Sequence, residues 1–223
     1  MKLGQEWYQR EEVASRYDKR FTHGGRVLNR EEIEKLLELV DPKGKEILDI
    51  ATGTGRFAES MEAAGGDVVG MDASKEMLKP GRANYLVGDA FKLPFKGKSF
   101  DVSTSMRFLH LIRPRQVPVF LKEVERVTKE KFIFESFNPM SLRALYQWAL
   151  PQRSYLFRTS YLEELLSDLE FVKDFEANPY FLIPYGAYQV MPYGFAKRVN
   201  RIDRKLTEIL EPFASTIYWV LEF

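Results

Sequence analysis

The chain has 223 residues, 45% hydrophobic and 29% charged, enough to bury a sizeable core in one large domain. Its 33 Lys and Arg against 32 Asp and Glu leave a formal net charge of +1, so no basic stripe argues for nucleic acid. Cysteine is absent and His23 and His110 are the only histidines. That removes disulfides, thiolate metal sites, cysteine nucleophiles and His-rich metal centres, and no metal is expected.

No run of about 18 apolar residues is present, so no membrane span is expected. Met1 to Arg20 is charged and lacks a signal-peptide core, which makes a cytoplasmic protein the expectation. Zero cysteine with many Lys and Glu is also a thermophile's habit.

The first helix is read from Asn29, with Glu32 three residues later as a capping-box variant. Ile33, Leu36, Leu37 and Val40 follow at helical spacing until Asp41-Pro42-Lys43-Gly44 breaks the pattern. Lys45 to Ile50 reads as a short strand, and Arg56 to Ala64 as a helix stopped by Gly65-Gly66. A second strand is expected over 67–71, then a short helix capped by Ser74 and closed by Pro80-Gly81. Third and fourth strands follow at 84–87 and 100–106. Pro114 opens a helix through Val127, and 131–137 is a fifth strand. Strands alternating with helices in this way imply βαβ units and a parallel sheet.

After Asn138-Pro139 the texture changes. Residues 1–137 hold 14 aromatics and the remaining 86 hold 17. Ser160 with Glu163 predicts a capped helix through Leu169, and 171–181 a strand. A helix over 196–210 and a last strand over 215–222 complete the pattern. These late strands suggest an antiparallel addition to the sheet.

The chemistry is carried by "ILDIATGTGRFAE", residues 47–59. A strand followed by Gly53 and Gly55 at a helix start is a ligand-binding turn, because glycine admits a tight turn and a close approach. The helix N-terminus adds unsatisfied N–H groups and a positive dipole end. Asp72, 19 residues after Gly53, ends the second strand, where an acid accepts hydrogen bonds from ribose hydroxyls. Gly53, Gly55 and Ala58 also fit a dinucleotide fingerprint. Asp49 disagrees, since a second acid does not suit a pyrophosphate. It suits a ligand with an ammonium and a sulfonium, which points to S-adenosylmethionine (SAM). Asp49 also reads as an acceptor that ties down the turn, and the two roles can coexist.

Four ordered segments carry a resemblance: "ILDIATGTG" (47–55), "VVGMDASKEML" (68–78), "LVGDAFKLPFKGKSFDVSTSMRFLHLI" (86–112) and "FLKEVERVTKEKFIFES" (120–136). Residues 13–137 thereby resemble class I SAM-dependent methyltransferases, in the small-molecule group of the ubiquinone/menaquinone biosynthesis type. Ala51 stands where many members have glycine. The resemblance implies an α/β, Rossmann-like three-layer sandwich, with a seven-stranded, mostly parallel sheet of order 3-2-1-4-5-7-6 and strand 7 antiparallel. It implies one methyltransferase domain over 1–223: an N-terminal cap (1–28), a SAM-binding core (29–137) and an aromatic-rich substrate-side part (138–223).

Cofactor contacts are then expected at Tyr17, Arg26, Asp49, Ala51, Thr52, Gly53, Gly55, Asp72 and Ala73. Met77, Asp89, Ala90 and Met106 extend that set. Asp89 would meet the adenine amino group and Arg26 the methionine carboxylate, a pairing suited to a bidentate guanidinium. Methyl transfer is an in-line displacement yielding S-adenosylhomocysteine, and the protein mainly orients the reactants, an effect worth roughly 7–11 kcal/mol. Where the acceptor needs a base, His110 and Glu135 are the candidates. "PYFLIPYGAYQVMPYGF" (179–195) has three prolines and four tyrosines. It suggests an apolar acceptor wall at Tyr185, Tyr188 and Tyr193, with Tyr146, Trp148, Tyr155 and Phe157 opposite. Arg143, Arg153 and Arg158 are alternative contacts for an acidic group on the acceptor.

The partner expected is a small-molecule substrate, with neither nucleic acid nor membrane, and the chain is expected to be a monomer or homodimer. Two other readings stay open: a non-catalytic SAM-binding or partner-binding protein of the same fold, and an NAD-type dehydrogenase.

Overall fold

The computed structural model describes residues 8–78, 84–146 and 154–223. A seven-stranded sheet organises the chain in the order β3-β2-β1-β4-β5-β7-β6. Its strands are β1 (Glu46–Ile50), β2 (Asp67–Asp72), β3 (Tyr85–Val87), β4 (Phe100–Ser105), β5 (Thr128–Phe137), β6 (Asp174–Phe181) and β7 (Thr216–Glu222). β1 to β5 pair in parallel, and β7 runs antiparallel between β5 and β6. This is the strand order and direction that the resemblance implied.

The helices are α1 (Glu11–Tyr17), α2 (Gly25–Val40), α3 (Arg56–Ala63), α4 (Val117–Val127), α5 (Leu142–Tyr146), α6 (Thr159–Ser167), α7 (Tyr185–Gln189) and α8 (Tyr193–Thr207). The central strands read as apolar runs because both faces are covered. Alternate residues of β5 enter opposite layers. Phe132 and Phe134 pack with Phe120, Val124, Leu162 and Trp219 beneath α4 and α6. Ile133 packs with Leu36, Val40, Met61, Val102 and Tyr218 beneath α2 and α3. A third, smaller cluster joins Val27 and Leu28 of α2 to Tyr188 and Ala196.

Four expected helix starts differ from the sequence reading. α2 begins at Gly25, because Gly24 and Gly25 press against backbone: a Cβ on either would collide with the carbonyl of Tyr188 or of Arg20. Glu32 is therefore mid-helix and buried rather than part of a cap. α6 starts one residue before Ser160 and no side chain caps it. Ser74 opens a turn rather than a helix, its Oγ accepting the Met77 N–H at 3.3 Å; Pro80-Gly81 lie outside the described residues. α8 starts at Tyr193, three residues early, because Pro192 supplies the extended residue before it.

Candidate functional site

The backbone between β1 and α3 turns through three left-handed residues: Ala51 (φ 59), Gly53 (φ 58) and Gly55 (φ 82). Glycine adopts this region freely, whereas alanine pays roughly 1–2 kcal/mol. Ala51 is thus a locally strained residue at the tightest part of the turn. Gly55 is required twice over, since a side chain there would also strike the Tyr85 ring.

Two acids hold the turn. Asp72 Oδ2 accepts the Gly53 N–H at 2.9 Å, and Oδ1 accepts the Ser74 N–H at 2.8 Å. Asp49 is buried and accepts the Thr52 and Thr104 hydroxyls, each at 2.7 Å. Burial raises both carboxyls, Asp49 to about 6 against the pull of those hydroxyls.

A pocket opens at the carboxyl ends of β1, β2 and β4, where open α/β sheets bind ligands. Asp49, Ala51, Thr52 and Gly53 form its floor, and Asp72, Ala73 and Met77 one side. Ala90, Met106 and Phe108 form another. The N-terminal segment closes it through Tyr8, Gln9 and Tyr17. That segment is fastened by Thr54 Oγ1 donating to Asp18 at 2.7 Å and Ser74 Oγ donating to the Tyr8 carbonyl at 2.9 Å.

Three expected contacts lie elsewhere. Arg26 is exposed in the first turn of α2 and lines a separate polar groove with Arg30, Lys197 and Tyr193, because the early helix start turns it outward. Asp89 is exposed at the rim, its Oδ1 accepting the Phe91 N–H at 2.9 Å, while its neighbours Gly88 and Ala90 line the pocket. Gly55 is the left-handed residue that leads into α3, and it does not line the pocket.

The arginines on the pocket wall are Arg56 and Arg107, which the sequence did not single out. Both are anchored by buried Glu32: Arg56 at 2.8 Å, with Asn29 at 2.6 Å on its other arm, and Arg107 on the second oxygen. Arg107 has a positive φ of 57 at the end of β4, and its guanidinium lies over the Tyr185 ring at 4.3 Å.

Next to this pair lies a buried polar cluster. Both Glu135 oxygens, the Tyr218 hydroxyl, Asn178 Nδ2 and Arg107 Nε are buried without a hydrogen-bond partner. Tyr218 pairs with Glu135 on one side and Asn178 on the other across β5, β7 and β6, so the three share one face. Burial raises the Glu135 carboxyl above its ordinary range, with Arg107 opposing and Glu32 reinforcing. The other candidate base, His110, is packed at 4.8 Å from Phe137. Burial, then the charges of Arg143 and Arg107, push its pKa well down, which makes it a poor proton acceptor.

The expected tyrosine wall is not a single surface. Tyr188 is fully buried and donates to Asp203 at 3.0 Å, locking α7 to α8. Tyr193 is half-exposed in the outer groove. Only Tyr185 reaches the pocket arginines, its hydroxyl donating to the Arg20 carbonyl at 3.0 Å. Tyr155 and Phe157 pack in the core beneath α4 and α6. Arg143 lies over Phe137 at 3.9 Å and Arg158 is exposed. Trp148, Arg153 and the Tyr146 side chain lie outside the described residues.

Residues 48–134 match the family model described as a methyltransferase domain. A demethylmenaquinone methyltransferase of Paenarthrobacter aurescens is 41% identical over 101 residues, 42% of this chain and 39% of that protein. The chain thus matches about two-fifths of that relative's length. A SAM-dependent methyltransferase structure from Archaeoglobus fulgidus superposes with a TM-score of 0.65 at 18% identity, covering 93% of this chain and 98% of the other. Magnesium protoporphyrin IX methyltransferase from Synechocystis, with bound S-adenosylhomocysteine, gives 0.63 at 12% identity over 98% and 96% of the two chains. At these identities the structural likeness is one of fold.

Proposed function

We propose, for a chain with a methyltransferase-domain core on the class I methyltransferase sheet, that it transfers a methyl group from SAM to a small organic acceptor. The observation that carries this reading is the pocket itself, in which a strained glycine turn, Asp72 and the buried Asp49 converge. The residues fit the donor. Asp72 sits where a ribose is held. Met77, Ala90 and Phe108 offer an apolar slot for an adenine ring, and Asp49 supplies negative potential for the donor's cations. Tyr17 and Tyr8, in the segment read as a cap, exclude water. Bound SAM supplies a methyl group already activated on a sulfonium.

Glu135 takes the acceptor's proton in this reading. Its two buried oxygens have no hydrogen-bond partner, so an incoming O–H or N–H has an acceptor waiting. It does not line the donor pocket; Arg107, whose charge is the first to oppose its burial, does. Tyr185 is the remaining aromatic contact for the acceptor.

Asp49→Asn separates charge from turn geometry. The amide keeps the bonds to Thr52 and Thr104 once those hydroxyls rotate, but it offers no net charge to a sulfonium. SAM affinity is expected to fall about tenfold, near 1.4 kcal/mol. In the parent protein a cation favours the ionised Asp49, so affinity should weaken as pH falls through about 6. Equal affinities and equal pH profiles for the two proteins would leave Asp49 a structural residue only.

Turnover tests the whole reading. S-adenosylhomocysteine should accumulate when SAM and hydroxylated or amine-bearing aromatic compounds are supplied. Tight SAM binding without product from any such acceptor would favour a non-catalytic binding protein.

A further inference from the structure

Among the described residues, most of the exposed large apolar side chains fall between positions 190 and 213. Phe195, Ile202, Leu206 and Ile209 recur at intervals of seven, four and three, one stripe along α8 and the turn that continues it. They are not marginal: Ile202 is 59% exposed and Ile209 75%. The helix is already anchored by its other face, where Ala196, Asn200, Asp203 and Thr207 are buried. Asp203 there receives the Tyr188 hydroxyl and the N–H groups of Leu182 and Ile183. The stripe is therefore not what anchors the helix to the rest of the chain.

Cations flank it. Lys197, Arg198, Arg201 and Lys205 are exposed. At 100° per residue, Arg198 and Lys205 fall along the edge of the stripe away from the buried face. Within α8 the one acid, Asp203, is buried, and from 193 to 213 five exposed cations outnumber two exposed acids, Glu208 and Glu211. On a chain of net charge +1, this is a local concentration of positive charge. The apolar surface continues past the helix through Leu210 and Phe213. Asn138 Nδ2, donating to the Pro212 carbonyl at 2.8 Å, ties the loop bearing exposed Met140 to that end.

We infer that this face of α8 lies on an anionic lipid bilayer. Apolar side chains edged by Lys and Arg suit a helix in the interface plane, with the stripe at the acyl boundary and the cations among acidic headgroups. A second copy is a poorer occupant, because an isologous contact would bring the same cations together. No described helix is long and apolar enough to cross a membrane. The sequence expectation of no membrane contact rested on that missing span, which says nothing of an interfacial helix.

Vesicle flotation of the full chain tests the inference. The protein should float with vesicles containing phosphatidylglycerol, stay behind with pure phosphatidylcholine, and be released by high salt. Ile202→Gln with Ile209→Gln, and separately Arg198→Glu with Lys205→Glu, should each lower the bound fraction about tenfold or more while the circular dichroism and melting temperature stay unchanged. Absence of flotation, or equal binding to both vesicle types, would overturn it. So would self-association that the Ile202 and Ile209 changes abolish. The readout involves no methyl transfer, so its failure is distinct from failure of the proposed activity.

Discussion

Asp72→Ala is expected to weaken SAM binding by two to three orders of magnitude. The carboxylate has two duties. Within the protein it accepts the Gly53 and Ser74 N–H groups, fixing the turn against β2. Each oxygen retains a second lone pair, and in the proposed complex these accept the ribose hydroxyls. Hydrogen bonds to a charged acceptor contribute about 1.5–3 kcal/mol each. Loss of the ribose contacts together with a loosened turn therefore costs about 3–4 kcal/mol. Asp72→Asn should fall between, since the amide keeps one acceptor oxygen and must turn its NH₂ toward an N–H donor. Calorimetric titration checks both. Affinity within twofold of the parent for Asp72→Ala would remove this residue from the donor site.

Glu135→Gln is expected to lower the rate of methyl transfer by about 10²–10⁴, the usual contribution of a positioned base, with SAM affinity unchanged. The sign of the pH dependence follows from burial. The base acts ionised and its pKa lies above the ordinary carboxylate range, so the parent rate should rise as pH climbs through that raised value. The variant should lose this limb. A second readout separates chemistry from folding. A carboxyl whose folded pKa is raised holds its proton longer when native than when unfolded, so its burial costs stability increasingly as pH rises through that interval. Glu135→Gln should therefore stabilise the ligand-free protein more at pH 8 than at pH 5. Unchanged turnover with the expected stability gain would make Glu135 a buried structural acid and nothing more.

The parts of this molecule that were legible in its sequence are those set by local pattern. The apolar runs at 47–50 and 68–71 read as strands because both faces of a parallel sheet are buried. Gly53 and Gly55 read as a turn because glycine enters the left-handed backbone region they occupy without the strain a side chain would add. Asp72 stood out by its spacing from Gly53 together with its place at the end of the second strand. What the sequence hid depends on partners far along the chain. Glu32 meets Arg56 24 residues later and Arg107 75 residues later, and neither pairing leaves a periodic trace. Asn29 and Glu32 mimic a cap, but Gly24 and Gly25 draw the helix start forward, which also carries Arg26 out of the site. Tyr188 looked like its neighbours in an aromatic stretch, yet Asp203, 15 residues on, makes it a core residue. A lone arginine in "MRFLHLI" was the available sign of Arg107.

The most direct test of the account is titration of the purified chain with SAM, S-adenosylhomocysteine and NAD in the calorimeter. Micromolar binding of SAM and S-adenosylhomocysteine, with no heat from NAD, is the predicted result. Binding of NAD alone would contradict it and assign the turn to a dinucleotide.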